Sequence, residues 1–360
     1  MSPGYPACCL CPPKPPLPDA ATYALYDQDG ELLWWKLTEN AVRHVDIGGD
    51  YVVALTSGAA HDEDHVWLHN LKGELVWVKD SDASSVNRTP RTATIDSDGN
   101  VYLATDRAFG VAPRLYKVDA DGDTVFDVEA DPYYGYAHVS YRDGILYGTS
   151  RNDSNVGLVV HRINPSNGSA VWSTEISSLG ISSPARCRAS RIAGRVVVAR
   201  QIVVVLDSSG NVLWDQTRSL PSLIDESGCS IDRDNYVAVG GGRHDDITHV
   251  RYDEDGVEEW NADHGASVLG VDTDDSGNVY IAAYNSEGNP NSSTTRTIRK
   301  YSSSGVLQWS EVLGKTHLGH GYGVDLSDIA VGHDKVVGEE TVPGKVIVGG
   351  SHAQMKTPYD

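Results

Sequence analysis

The segment GELLWW at residues 30–35 is echoed by GELVWV at 73–78, and the echo continues along the chain. A glycine is followed four residues later by a large aromatic at Gly30/Trp34, Gly73/Trp77, Gly122/Phe126, Gly168/Trp172, Gly210/Trp214, Gly256/Trp260 and Gly305/Trp309. The aromatic recurs at intervals of 43, 49, 46, 42, 46 and 49 residues, and of the 8 tryptophans only Trp35 and Trp67 stand outside the series. Such a period marks a stack of one supersecondary unit that cannot bury its apolar face alone.

Each glycine-to-aromatic phrase follows an alternating or apolar run, as in HVWLHNLKG, RLYKVDADG and THVRYDEDG. Three residues before the glycine stand Asp27, Asn70, Asp119, Asp207 and Asp253, with Pro165 and Ser302 as exceptions. A turn-initiating Asx followed by Gly between two β-type runs predicts a hairpin. Its second strand carries the Trp, where a large ring can pack between stacked sheets. Upstream lies a second pair of strands, clearest in RTATIDSDGNVYLAT at 91–105 and LGVDTDDSGNVYIAA at 269–283. Four short strands per unit, without helical periodicity, predict an all-β, seven-bladed β-propeller of four-stranded blades.

The ends support the count. Residues 22–37 hold only the second hairpin of a blade, and residues 320–352 hold only the first pair of strands. Together they make one composite blade, 320–354 plus 22–41, that closes the ring and leaves no open sheet edge between first and last blade. The other blades are expected at about 42–84, 85–133, 134–180, 181–222, 223–267 and 268–319. The propeller then spans 21–354, between an N-terminal arm at 1–20 and a short tail at 355–360.

The wording LYKVDADGDTVF, IRKYSSSGVLQW and DSDGNVYLAT resembles the PQQ-like and related bacterial propeller repeats. The resemblance covers nearly all of the chain after residue 20 and implies the fold more than any activity. Quinoprotein dehydrogenases of that superfamily have eight blades, greater length and a dedicated cofactor site. This chain departs from them in length and blade count, and Cys8–Cys9 lies outside the repeats. The expectation is therefore no cofactor.

A net charge of −21, from 50 acids against 29 bases, argues against nucleic-acid phosphates and anionic membrane surfaces as partners. Much of the acid is Asp in turn sequences such as DQDG, DADG and DEDG, where the side chain bonds its own turn backbone. No apolar run is long enough for a transmembrane helix. The first residues, MSPGYPACCLCPPKPPLPDA, lack the basic and apolar regions of a secretory signal. Synthesis in the cytoplasm is expected, with incorporation into a virion or surface assembly left open. The sequons at Asn87, Asn152, Asn167 and Asn291 then carry little weight.

Candidate binding residues fall into three groups. Aligning the innermost strands on their turns puts His44, Thr94, His138, Ala189, Ser230, Gly270 and Gly323 at equivalent positions around the channel. His44 and His138 can meet a ligand there, with Arg188 adding positive charge. On the face of longer loops stand Tyr136, His317, His320 and Tyr322, where tyrosines can stack on sugar rings. In the arm, Cys8, Cys9 and Cys11 sit beside a proline-rich stretch that favours polyproline II and suits docking to a partner, a disordered tail and a metal or redox site on the three thiols being the alternatives. DADGD at 119–123 lacks the glycine and distal Glu of a calcium loop, and no metal site is expected. No nucleophile or metalloprotease motif appears. The sequence reads as a non-catalytic binding or structural module, a component of a virion or cell-surface assembly anchored by its arm to protein partners. The alternatives are a lyase or hydrolase using the loop-face funnel, and a glycan or small-ligand binder.

Overall fold

The computed structural model describes residues 23–36, 38, 40–57, 65–80, 90–105, 112–130, 136–151, 157–176, 186–190, 194–199, 202–216, 228–241, 249–262, 267–285, 294–316, 324–337 and 340–352. These form seven four-stranded antiparallel sheets, with no helix among the described residues. The chain is a seven-bladed β-propeller. Its innermost strands are Ala41–Gly48, Pro90–Ile95, His138–Arg142, Arg186–Ala189, Cys229–Ile231, Ser267–Thr273 and Val324–Val331, in blades one to six and the composite blade. Each packs against the next around a closed ring, the last against the first.

Closure is covalently discontinuous and held by hydrogen bonds. Tyr23–Tyr26 pairs with Val346–His352 on one side and with Leu32–Lys36 on the other, so the two ends of the chain share one sheet. Both strands are buried there: Leu25, Tyr26, Val346 and Ile347 are fully enclosed. The composite blade departs from expectation in one respect. Its first two strands are joined by an extra hairpin, Lys335–Val337 with Glu340–Val342, and not by a tight turn. At the base of this hairpin, Asp334 Oδ1 accepts from Gly344 N at 2.9 Å, and Asp275 Oδ2 of blade six accepts from Asp334 N at 2.9 Å.

The core is divided among the blade junctions. Seven clusters of buried apolar side chains are found among the described residues, and each joins two neighbouring blades. The strands supply them by alternation, since every second residue faces a neighbouring sheet.

The repeated glycine and tryptophan are the fastening between those sheets. Trp34 lies over Gly73 of the next blade, Trp77 over Gly122, Phe126 over Gly168 and Trp172 over Gly210. Trp214 lies over Gly256, Trp260 over Gly305, and Trp309 over Gly30, which completes the circle. The glycine serves twice: its φ is between +73° and +90° at all seven positions, and at all but Gly122 a Cβ would press on the ring. Five tryptophans also donate from Nε1 to a carbonyl two residues before the partner glycine. The acceptors are Leu71, Ser208, Glu254, Ser303 and Gln28, at 2.8–3.0 Å. Five of the hairpins are shaped by an Asx residue: Asp27 Oδ1 accepts from Asp29 N at 3.0 Å and Glu31 N at 2.8 Å, and Asn70, Asp119, Asp207 and Asp253 repeat the pattern. Much of the negative charge is thereby spent on turn geometry.

Candidate functional site

Pairing of each innermost strand with its neighbour fixes which residues are equivalent around the axis. Counting from the partner of the valine or leucine near the start of each second strand, one ring is Asp46, Thr94, Ser140, Arg188, Ser230, Asp272 and Ala330. Two residues earlier lies a second ring: His44, Thr92, His138, Arg186, Gly228, Gly270 and Asp328. The turn-based alignment is therefore out of register. It mixes His44, His138 and Gly270 of the second ring with Thr94 and Ser230 of the first, and Ala189 belongs to neither. The reason is local: two residues separate Gly48 from Tyr51, whereas five separate Ile95 from Val101 and fourteen separate Val331 from Val346. Gly323 lies outside the described residues.

The rings first join neighbouring blades. Asp46 Oδ2 accepts from Thr94 Oγ1 at 2.6 Å and Ile95 N at 3.3 Å of blade two. Thr94 Oγ1 accepts in turn from Tyr141 N at 2.9 Å, and Ser140 Oγ accepts from Ala189 N at 3.1 Å. Asp272 accepts from Ser230 Oγ at 2.7 Å and Val331 N at 2.8 Å, and Asp328 accepts from Val45 N at 3.2 Å. Asp46, Thr94, Ser140 and Asp272 of the first ring, and Asp328 of the second, thus each offer an acceptor to a backbone N–H of the next innermost strand.

They also join blades across the axis. Arg142 of blade three meets Asp46 of blade one at 3.2 Å and Asp272 of blade six at 3.5 Å. Arg186 of blade four meets Asp328 of the composite blade at 2.9 Å. Arg188 lies 3.8 Å from Asp46 and 4.0 Å from Asp328, and donates to Ile329 O at 3.5 Å. The arginines thus come from blades three and four, and the aspartates from blades six, one and the composite blade between them. All but Arg186 are buried. Burial works against the charge of Arg188, yet Asp272, Asp46 and Asp328 hold its pKa above the ordinary value. Burial pushes Asp328 up, but His44, Arg186 and Arg188 together outweigh it and hold its carboxyl below the usual range.

His44 and His138 come together at the axis. Their Nε2 atoms are 3.1 Å apart, although the residues belong to blades one and three. His44 Nδ1 lies 3.3 Å from Asp328 Oδ2, at an angle poor for a hydrogen bond, and His138 Nδ1 is 3.6 Å from Cys187 Sγ. Burial lowers the His44 pKa to about 4, the two arginines adding to the effect and Asp328 opposing it. Burial, then His44, Arg188 and Arg186, hold His138 well below the ordinary histidine value. Both rings are neutral at pH 7. The ionisation of Asp328 at that pH accordingly rests on the guanidinium groups and Val45 N–H. Burial pushes the Cys187 thiol far up, with Cys229 adding to it, so this sulfur is not a nucleophile. Two guanidinium groups beside the imidazoles disfavour a cation, and among the described residues no group of three metal-ligating side chains occurs.

The other expected residues divide. Tyr136 is 3% exposed and sets its ring edge-on to His161 at 5.2 Å, so it belongs to the packing of blade three and does not offer a face to a sugar. His317, His320, Tyr322, Cys8, Cys9 and Cys11 lie outside the described residues. Arg142, Asp46, Asp272 and Asp328 were missed by sequence reasoning. The signal of the three aspartates is an acid set among β-formers, as in HVDIGG, GVDTDD and LSDIAV.

A closed propeller with aromatic-on-glycine fastening and an ion-paired axis defines the class of protein. A family model described as outer membrane protein assembly factor BamB matches residues 19–220, more than half of the 360. The chain belongs to that family. No curated protein matches. Among solved structures, a chain from the crystal structure of a mitotic checkpoint complex is 14% identical, with a TM-score of 0.59 over 98% of this chain and 100% of that one. A chain of Kuenenia stuttgartiensis hydrazine synthase is 13% identical, with a TM-score of 0.45 over 66% of this chain and 69% of that one. At such identity the first likeness is one of fold.

Proposed function

We propose that this propeller acts by binding proteins and not by chemistry, as a component of a larger assembly of the cell-surface type, with residues 1–20 as its anchor. The observation that carries the reading is the axis. Its three arginines and three aspartates are engaged with one another, its histidines are neutral and paired, and its thiol is held protonated. Groups so committed are poor acids, bases or nucleophiles for a substrate. The description of the family as an assembly factor supports the same reading. Three cysteines and five prolines within residues 8–18 give the arm a composition suited to docking in extended form.

The test is the native mass of the protein isolated from its source, beside a form lacking residues 1–19. The full chain is expected in a large particle and the shortened form as a monomer. Monomers in both cases would overturn the anchoring role.

A further inference from the structure

We propose that the propeller axis is an acid-operated latch: protonation of the His44–His138 pair uncouples the arginine-bearing and aspartate-bearing halves of the ring. The geometry of the pair makes the point. At 3.1 Å the contact between the two Nε2 atoms requires one ring to donate its proton and the other to accept. A first proton can be taken up on Nδ1 of the donating ring with the bond intact; a second, on the accepting Nε2, sets two N–H groups face to face, and the hydrogen bond is lost.

The new charge also has unfavourable company. His44 faces Asp328 from the composite blade, His138 from blade three, Arg186 and Arg188 from blade four, and Asp46 on its own strand. His138 faces His44, Arg186, Arg188 and the Cys187 thiol. In the neutral state the three guanidinium groups at the axis match the three carboxylates. A histidinium would compete with Arg186 and Arg188 for Asp328, a carboxylate that all three can reach. The pair spans blades that are not neighbours, so its loss acts on closure of the whole ring and not on one junction.

The sign follows from linkage. A histidine whose folded pKa is depressed contributes stability that is complete above the unfolded value, near 6.5, and is lost as pH falls toward the folded value. For His44 that window runs from about 6.5 to about 4. Asp328, with its carboxyl held low, loses its contribution at lower pH still, in the same direction.

Denaturant unfolding of the full chain at pH 7.5, 6.5, 5.5 and 4.5 tests the latch, with H44Q, H138Q, the double variant and H69Q compared. His69 is the needed control, because burial and Lys36 lower its pKa to about 4 as well, far from the axis. In the unmodified chain the unfolding constant is expected to rise on the order of thirtyfold from His44 alone between pH 6.5 and 4.5, with His138 adding in the same direction. The double variant should lose that rise, while H69Q keeps it. A double variant as acid-sensitive as the unmodified chain would overturn the proposal. Should the variants not fold, imidazole resonances of the unmodified chain serve instead. Faster amide exchange in Ala41–Gly48 and His138–Arg142, in step with protonation of His44 and His138, supports the latch. Titration near 6.5 with unchanged exchange rules it out.

Discussion

At the scale of single residues, the repeat separates two demands that a glycine can meet, backbone conformation and space. Gly144 has a φ of +81°, but nothing lies within 4 Å of where its Cβ would be. Gly210 has a φ of +88°, and there a Cβ would come within 2.6 Å of Thr174 Oγ1 and 2.9 Å of the Trp172 ring. G144A should therefore cost only the left-handed backbone, about 1 kcal/mol, whereas G210A adds displacement of the aromatic and should cost about 2–4 kcal/mol. Urea unfolding of the two variants checks the difference. Equal losses would mean that the ring shifts freely and that the glycine is there for its backbone alone.

At the scale of elements, the fastening between blades is a ring with a hydrogen bond on one edge. Trp214 donates from Nε1 to Glu254 O at 3.0 Å and lies over Gly256. W214F keeps a stacked ring, as Phe126 does naturally, and should cost about 1–2 kcal/mol for the hydrogen bond and lost area. W214A removes the stack and should cost about 3 kcal/mol, the lower end for an aromatic because this ring is only half-buried. Thermal or urea unfolding orders the pair, and a phenylalanine variant as damaged as the alanine one would make the N–H the essential part. These elements were legible in the sequence because each is local: Asx, glycine and tryptophan sit within a few residues and recur. The rings at the axis were not. Val45 and Asp328 are 283 residues apart in sequence, and first-strand turns of unequal length slip any alignment made on them. His44 and His138 stood out as rare residues at inner positions. Asp46, Asp272 and Asp328 were hidden among the many aspartates that shape turns.

At the scale of the whole molecule, closure has two parts. The composite blade joins the chain ends through Tyr23–Tyr26 and Val346–His352, and the axis ties opposite blades by charge. Asp328 belongs to both, since its strand lies in the composite blade while its carboxylate serves Arg186, Arg188, Val45 N–H and His44. Removing one partner from a buried pair is far costlier than removing a surface one, because the remaining charge stays desolvated. D328N leaves Arg188 buried beside only Asp46 and Asp272, and should cost about 3–5 kcal/mol. R186Q should cost less, about 1–2 kcal/mol, since that side chain is 19% exposed and can find water. Raising salt to 1 M should change neither difference much, because mobile ions do not reach a buried axis. Denaturant unfolding at low and high salt measures all three. A D328N cost that vanishes in high salt would show that the axis is open to solvent ions, and the cross-axis pairs would then count as surface contacts and not as part of closure.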